Sequence, residues 1–311
     1  MKSLIKLTYF ALLRPLEFYR KIKRKIVKKI IRVDNQRLNK ILPWNSGTRI
    51  EKINGFKVKF DFDFSTSEKI YCYAYPNLKL TNVMKEFLCK GDTYIDIGAN
   101  IGYFCALAMG HVGEIGKVYA FEPVNLYYKR LKELQKMNKK YNFFPINVAL
   151  GEQKKDTEII ITRDIVGESS IGMNSILSNF RDESYVKDKQ EIHVDLFDNQ
   201  FSVESEDRIK LIKIDVEGYE YFVLRGMEKF LQEVKNDLLI FCEVTPDAYS
   251  SLNIDLKDIY VLMEKHGFEV IDGNSYSKLK KGKFSTIDVV FSNSREIQNE
   301  YKKLKYLYWN Y

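Results

Sequence analysis

Between positions 2 and 32, apolar residues recur every three or four places, at Leu12, Leu16, Tyr19, Ile22, Ile26 and Ile30. Arg20, Lys21, Lys23, Arg24, Lys25, Lys28, Lys29 and Arg32 fill the gaps. This period predicts an amphipathic basic helix, broken or begun near Pro15. Residues 34–48 read as a linker ending in a turn. The alternation GFKVKFDFDF (55–64) and the aromatic run IYCYAY (70–75) then predict a pair of strands.

From Gly91 the pattern becomes a βα alternation. TYIDIG (93–98) reads as a strand followed by a helix through Leu107, and KVYAFE (117–122) as a strand followed by a Lys-rich helix over 124–137. FFPINVAL (143–150) reads as a third strand. Residues 151–208 interrupt the rhythm with two strand-like stretches, TEIIIT (157–162) and EIHVDLF (191–197), around a polar loop, as a substrate lid would. The alternation resumes with IKLIKID (209–215), a helix over 219–230 and LLIFCEV (238–244). A helix over 255–266 then leads to FEVI (268–271) and STIDVVFS (285–292), which read as a closing antiparallel hairpin. A parallel sheet with crossover helices follows. The expected organisation is a basic helix and linker over 1–45, a β-rich lead-in over 46–90 and a catalytic domain over 91–311 with an insertion at 151–208.

Charge changes the picture of partners. The formal net charge is +8, but residues 1–33 hold eleven Lys and Arg against the single acid Glu17. The other 278 residues carry 39 basic and 41 acidic side chains, so the body is not basic, which argues against a nucleic-acid partner. The basic helix instead suits an anionic membrane surface. Nothing approaches the ~18 to 20 consecutive apolar residues that a span requires. The run from Leu7 to Leu13 is short, is followed by Arg14 and has no small-residue cleavage site, unlike a secretory signal. Four cysteines, Cys72, Cys89, Cys105 and Cys242, lack CxxC spacing and read as buried thiols of a reducing compartment. The expected location is cytoplasmic, peripheral on the inner membrane face.

The richest segment chemically is YIDIGANIGYF (94–104), a strand, a turn with Gly98 and Gly102, then a helix. Glycines there let the backbone approach a ligand closely. Asn100 and Tyr103 stand where the dinucleotide pattern GxGxxG has glycine, which disfavours a pyrophosphate cradle. Asp96, two residues before the turn, suits an ammonium group. Glu122, at the end of the next strand, suits two ribose hydroxyls. A ligand with an amino-acid end and a nucleoside end but no phosphates satisfies both, and S-adenosylmethionine is such a ligand.

DIGANIGYF, GKVYAFEP (116–123), IKIDVEGYE (212–220) and FCEVTP (241–246) stand in the order and spacing of the FkbM family of methyltransferases, and the chain resembles that family over roughly residues 50–292. The resemblance implies an α/β fold with a class I, Rossmann-like methyltransferase sheet. It also implies S-adenosylmethionine as donor and O-methylation of a hydroxyl on a sugar or polyketide. By that resemblance Asp96, Gly98, Asn100 and Gly102 hold the methionine part and Glu122 the ribose. Adenine would lie near Val148 and Ala149, where the nearest polar residue is Asn147 rather than an acid.

An oxygen acceptor gives up its proton as it attacks the methyl group, so a carboxylate or His is expected nearby, alone or with a divalent metal. Asp215 and Glu243 end adjacent predicted strands at the ligand edge. Asp215 is either such a group or a capping acid. Glu243 is a base, a metal ligand or a buried structural acid, and Glu217 an alternative at the start of the next helix. His193 reads as a surface residue. The expected acceptor is a glycan, a glycolipid or another hydroxyl-bearing molecule.

Overall fold

The computed structural model describes residues 48–53, 55–61, 77–162, 186–203, 207–234, 237–245, 249, 254–273 and 286–308. The basic helix expected over 1–33, the IYCYAY run and the tip of the insertion lie outside them.

Strands β1 (Thr48–Ile53) and β2 (Phe56–Asp61) form an antiparallel hairpin that pairs Thr48 with Asp61 and Ile53 with Phe56. The alternating segment therefore pairs with the stretch before it, which the linker reading ended at residue 48. The lead-in also contains a helix that strand propensity concealed, α1 (Leu78–Phe87). Asn77 caps it by accepting from the Leu80 amide at 3.0 Å. Leu80, Val83, Met84 and Phe87, at helical spacing, are buried.

The α/β alternation begins with β3 (Thr93–Ile97), buried along its whole length, and α2 (Tyr103–Val112), with apolar residues on every side and seven of its ten buried. It continues through β4 (Lys117–Phe121), α3 (Asn125–Met137) and β5 (Asn142–Ile146). β6 (Ala149–Leu150) leads into the insertion, which contributes β7 (Lys155–Thr162), β8 (Val186–Asp195) and the turn of helix α4 (Phe197–Gln200). Next come β9 (Ile209–Ile214), α5 (Glu220–Arg225), α6 (Glu228–Glu233) and β10 (Leu239–Val244). The last elements are α7 (Leu256–Lys265), β11 (Glu269–Asp272), β12 (Ile287–Ser292) and α8 (Arg295–Tyr308).

Seven strands form one sheet in the order β11-β12-β10-β9-β3-β4-β5, with β12 antiparallel to both neighbours and the run from β10 to β5 parallel. Alternate residues enter opposite cores: Tyr94, Leu211 and Phe241 join one cluster with α1, α2, α3 and α8, while Ile95, Ile212 and Ile240 join the other with α5, α6 and α7. The chain leaves β3 for β4 on one side and later returns to β9 on the other. The crevice at the carboxyl end of β3 is thus a topological switch point.

Two elements differ from the sequence expectation. The third strand ends at Ile146, and Ala149–Leu150 crosses to a second, three-stranded sheet ordered β6-β8-β7. The helix over 219–230 is two helices, because Asp198 of α4 accepts from the Lys229 and Phe230 amides and so starts α6 afresh. After β12 the chain continues in α8, with Ile297, Tyr301 and Leu304 buried. Among the described cysteines, Cys105 and Cys242 are buried and Cys89 is exposed, and all three are free thiols.

Candidate active site

A cavity of about 400 Å³ opens at the switch point, within the usual range for small-ligand sites. One end is a backbone turn. Gly98 has φ +80°, and a Cβ there would lie 2.0 Å from the Asp215 carbonyl oxygen, so only glycine lets the loops after β3 and β9 touch. Gly98 and Ala99 donate to the Phe121 carbonyl, and Asp215 donates to the Ile97 carbonyl. Gly102, at φ +84°, starts α2 against Leu131 and Leu134 of α3. Asn100, at φ +52°, turns its amide towards Glu122.

Glu122 is buried and accepts from the Asn100 amide at 2.8 Å and the Val124 amide at 2.9 Å. Burial pushes its carboxyl up to about 7, against the pull of those two amides. Each oxygen keeps a further lone pair for a hydroxyl. Beside it, Pro123, Val148, Ala149 and Leu150 line an apolar slot, closed by Ile159 of the insertion. Gln190 of β8 ties the insertion down, donating to the Pro123 carbonyl and accepting from the Asn125 amide. His193, half-exposed, pairs with Asp156 at 2.8 Å on the insertion surface.

The opposite end is acidic. Asp215, Glu217, Glu243 and Asp288 line it with Asn77 and Thr286. Glu243 and Asp288 are direct cross-strand partners on β10 and β12. The charge of Asp215 is the largest influence on Glu243 and, with burial and Asp288, pushes its carboxyl up to about 8. Glu217, at φ +56°, lies in the loop before α5 rather than in the helix. Glu220 reaches back to that loop and accepts from the Val216 and Gly218 amides, while its other oxygen accepts from the buried Tyr249 hydroxyl. Burial raises the Glu220 carboxyl to about 7. Among the described residues, no three His, Cys, Asp or Glu side chains are arranged to hold a metal ion.

Asp96 stands elsewhere than the sequence suggested. It is fully buried behind the cavity wall, accepts from the Cys105 thiol, and pairs at 3.1 Å with the ammonium of Lys213, its cross-strand neighbour. Lys213 lines the cavity and was missed by sequence reading. Its signal was present in IKLIKID, where a lysine between Ile212 and Ile214 ends a strand otherwise bound for the core.

Both pieces suit S-adenosylmethionine: a turn that admits no side chain and a buried carboxylate at the end of the next strand, joined by one cavity. Together with the sheet order and its antiparallel β12, they define a class I S-adenosylmethionine-dependent methyltransferase. Residues 96–270, more than half of the chain, match the model of the methyltransferase FkbM domain, and the chain belongs to the FkbM methyltransferase family. Similar solved structures include the methyltransferase FkbM from Methylobacillus flagellatus KT, at 14% identity and a TM-score of 0.42 over 72% of this chain. The chain spans about half of that protein, 52%. M. jannaschii TYW2 in complex with AdoMet is similar at 19% identity and a TM-score of 0.41, over 79% of this chain and 85% of that one. Aeropyrum pernix fibrillarin with natively bound S-adenosyl-L-methionine is similar at 14% and 0.41, over 79% and 83%. No curated protein matches at a significant level.

Proposed function

We propose that the chain is an O-methyltransferase that methylates a sugar hydroxyl of a glycan or glycolipid. The observation that carries this reading is Glu243, held at about 8 beside Asp215 on the wall of the cavity that also contains the glycine turn and Glu122. A hydroxyl is a poor nucleophile until a base takes its proton, and a base serves best when its proton affinity lies near the working pH.

The bound donor supplies a sulfonium methyl group. Glu122 receives the ribose hydroxyls, and Val148 and Ala149 face the adenine. Gly98, Asn100 and Gly102 shape the turn around the methionine part, with Asp96 acting from behind through Lys213. Asp215 or Glu243 accepts the acceptor's proton as its oxygen bonds to the methyl carbon and the carbon–sulfur electron pair stays on sulfur. Glu217 borders the acceptor's path. Among the described residues no helix is long and apolar enough to cross a membrane. Residues 1–33 would hold the enzyme on anionic lipid at roughly 1 kcal/mol per nearby Lys or Arg, confining its search for a lipid-linked acceptor to a surface.

Incubation with labelled S-adenosylmethionine and a series of lipid-linked glycans tests the acceptor, and label is expected on a sugar oxygen. Absence of S-adenosylhomocysteine binding by calorimetry would overturn the donor site. Label on RNA instead of glycan would overturn the acceptor class. Full-length protein should sediment with anionic vesicles and be released by salt, and equal sedimentation after deletion of residues 1–33 would refute the anchor.

A further inference from the structure

Lys213 is 5% exposed. Its ammonium donates to Asp96 Oδ1 at 3.1 Å and to the Gly98 carbonyl at 3.1 Å, and forms an ion pair with Asp215 Oδ2 at 3.3 Å. The first partner lies on β3, the second in the donor turn and the third in the loop after β9. Buried among these three partners, the ammonium acts through them. Phe104 covers it, with the ring centre 5.8 Å from Nζ. We propose that Lys213 is a positioning residue for methyl transfer, a buried clamp that holds the donor turn and the acidic wall of the acceptor end in one fixed relation.

Three arguments support the clamp. A buried lysine without partners would lose its proton, yet the charges of Asp215 and Asp96 outweigh its burial and raise its proton affinity. Next, neutralising Asp96 alone would require one contact, whereas the ammonium also donates to the turn and pairs electrostatically with Asp215. Finally, it limits the build-up of negative charge at the acidic end. The groups facing Glu243 are Asp215 from the loop after β9 and Asp288 from β12, which raise its proton affinity, with Lys213 from β9 and a hydrogen bond with Thr286 opposing them. Lys213 also lowers the proton affinities of Glu122 and Cys105, so its field reaches both ends of the cavity.

The proposal rests on the donor-site reading, and the test separates the two. Lys213→Met leaves Asp96 buried without its cation and is liable to misfold, so the informative variant is Asp96→Asn/Lys213→Met, which removes both charges together. In full-length protein, S-adenosylhomocysteine affinity is measured by calorimetry and Glu243 titration by carbon-13 NMR. If Lys213 only compensates Asp96, the folded double variant matches the wild type in both. As a clamp, it should weaken S-adenosylhomocysteine binding about tenfold and move the Glu243 midpoint up by about one pH unit. Unless both readouts move in the folded double variant, the proposal is overturned. A wild-type protein that does not bind S-adenosylhomocysteine would instead sink the donor site itself.

Discussion

The two ends of the cavity are made of different materials. At the donor end the wall is mostly backbone: the carbonyl of Asp215 presses on Gly98, amides of Asn100 and Val124 hold Glu122, and the helix α2 begins at Gly102. At the acidic end the wall is side-chain charge, with Asp215, Glu243 and Asp288 drawn from separate stretches of chain. A backbone wall tolerates almost no change of shape, because neighbouring main-chain atoms cannot rotate away. A carboxylate wall tolerates isosteric change but responds to charge and pH. Shape should therefore dominate donor binding at the glycine turn, with Glu122 as its one charged contact, and charge should govern turnover at the acidic end.

The largest effect is expected at Gly98. Gly98→Ala puts a Cβ on the Asp215 carbonyl at a φ that disfavours any side chain, at a cost of several kcal/mol, roughly the sum of backbone strain and overpacking. Calorimetry should find donor binding abolished and thermal denaturation a marked fall in Tm. Normal affinity in this variant would break the view of a rigid donor end.

Asp215→Asn should show the opposite profile, with turnover down ~10²- to 10⁴-fold and donor affinity much less changed. It also removes the largest influence on Glu243, whose titration should move down from about 8 towards its ordinary 4.5. A Glu243 midpoint that stays near 8 would show that burial, rather than the neighbouring charge, controls it.

Glu122→Gln keeps shape and loses charge at the donor end. Donor affinity should fall about ten- to a hundredfold, as expected for losing a charged hydrogen-bond partner. Stability supplies a second reading. The folded protein holds the Glu122 proton up to about 7, whereas the unfolded chain releases it near 4.5. Glu122 therefore favours the folded state below that lower value, and the advantage, on the order of 3 kcal/mol, is lost as pH rises through 7. The variant should flatten the decline of Tm between about pH 5 and about pH 8, and an unaltered slope would reassign that dependence to the other buried acids.

The smallest effect is expected at Tyr249→Phe. It removes the hydroxyl that donates to Glu220, which holds the loop carrying Asp215 and Glu217. A loss of about 1 to 2 kcal/mol in stability and a few-fold fall in turnover should follow, checked by denaturant titration and the labelled-donor assay. No change in either would mean that the loop is held without Glu220.

The glycine turn and the place of Glu122 could be read from the chain because their elements are local. Gly98, Asn100 and Gly102 lie within five residues, and Glu122 ends the very next strand, so strand, turn and helix can be inferred from spacing alone. Less of the acidic end could be read. Asp215 and Glu243 were found as acids at strand ends, but Asp288 lay unmarked in STIDVVFS and came beside Glu243 only through the antiparallel pairing of β10 and β12. Helix α1 was hidden by the aromatic β-formers before it.

The sequence by itself determined the alternating α/β architecture and the glycine turn through hydrophobic period and glycine placement, the place of Glu122 after the next strand, and, through composition, the concentration of positive charge in residues 1–33. Each depends on neighbours along the chain. Only the tertiary structure decided that Asp96 faces Lys213, 117 positions away, and that the same ammonium also reaches Gly98 and Asp215. It alone placed three carboxylates close enough for one to hold its proton near 8. Electrostatic coupling depends on distance through space and on the exclusion of water, and neither exists until β9, β10 and β12 are laid side by side.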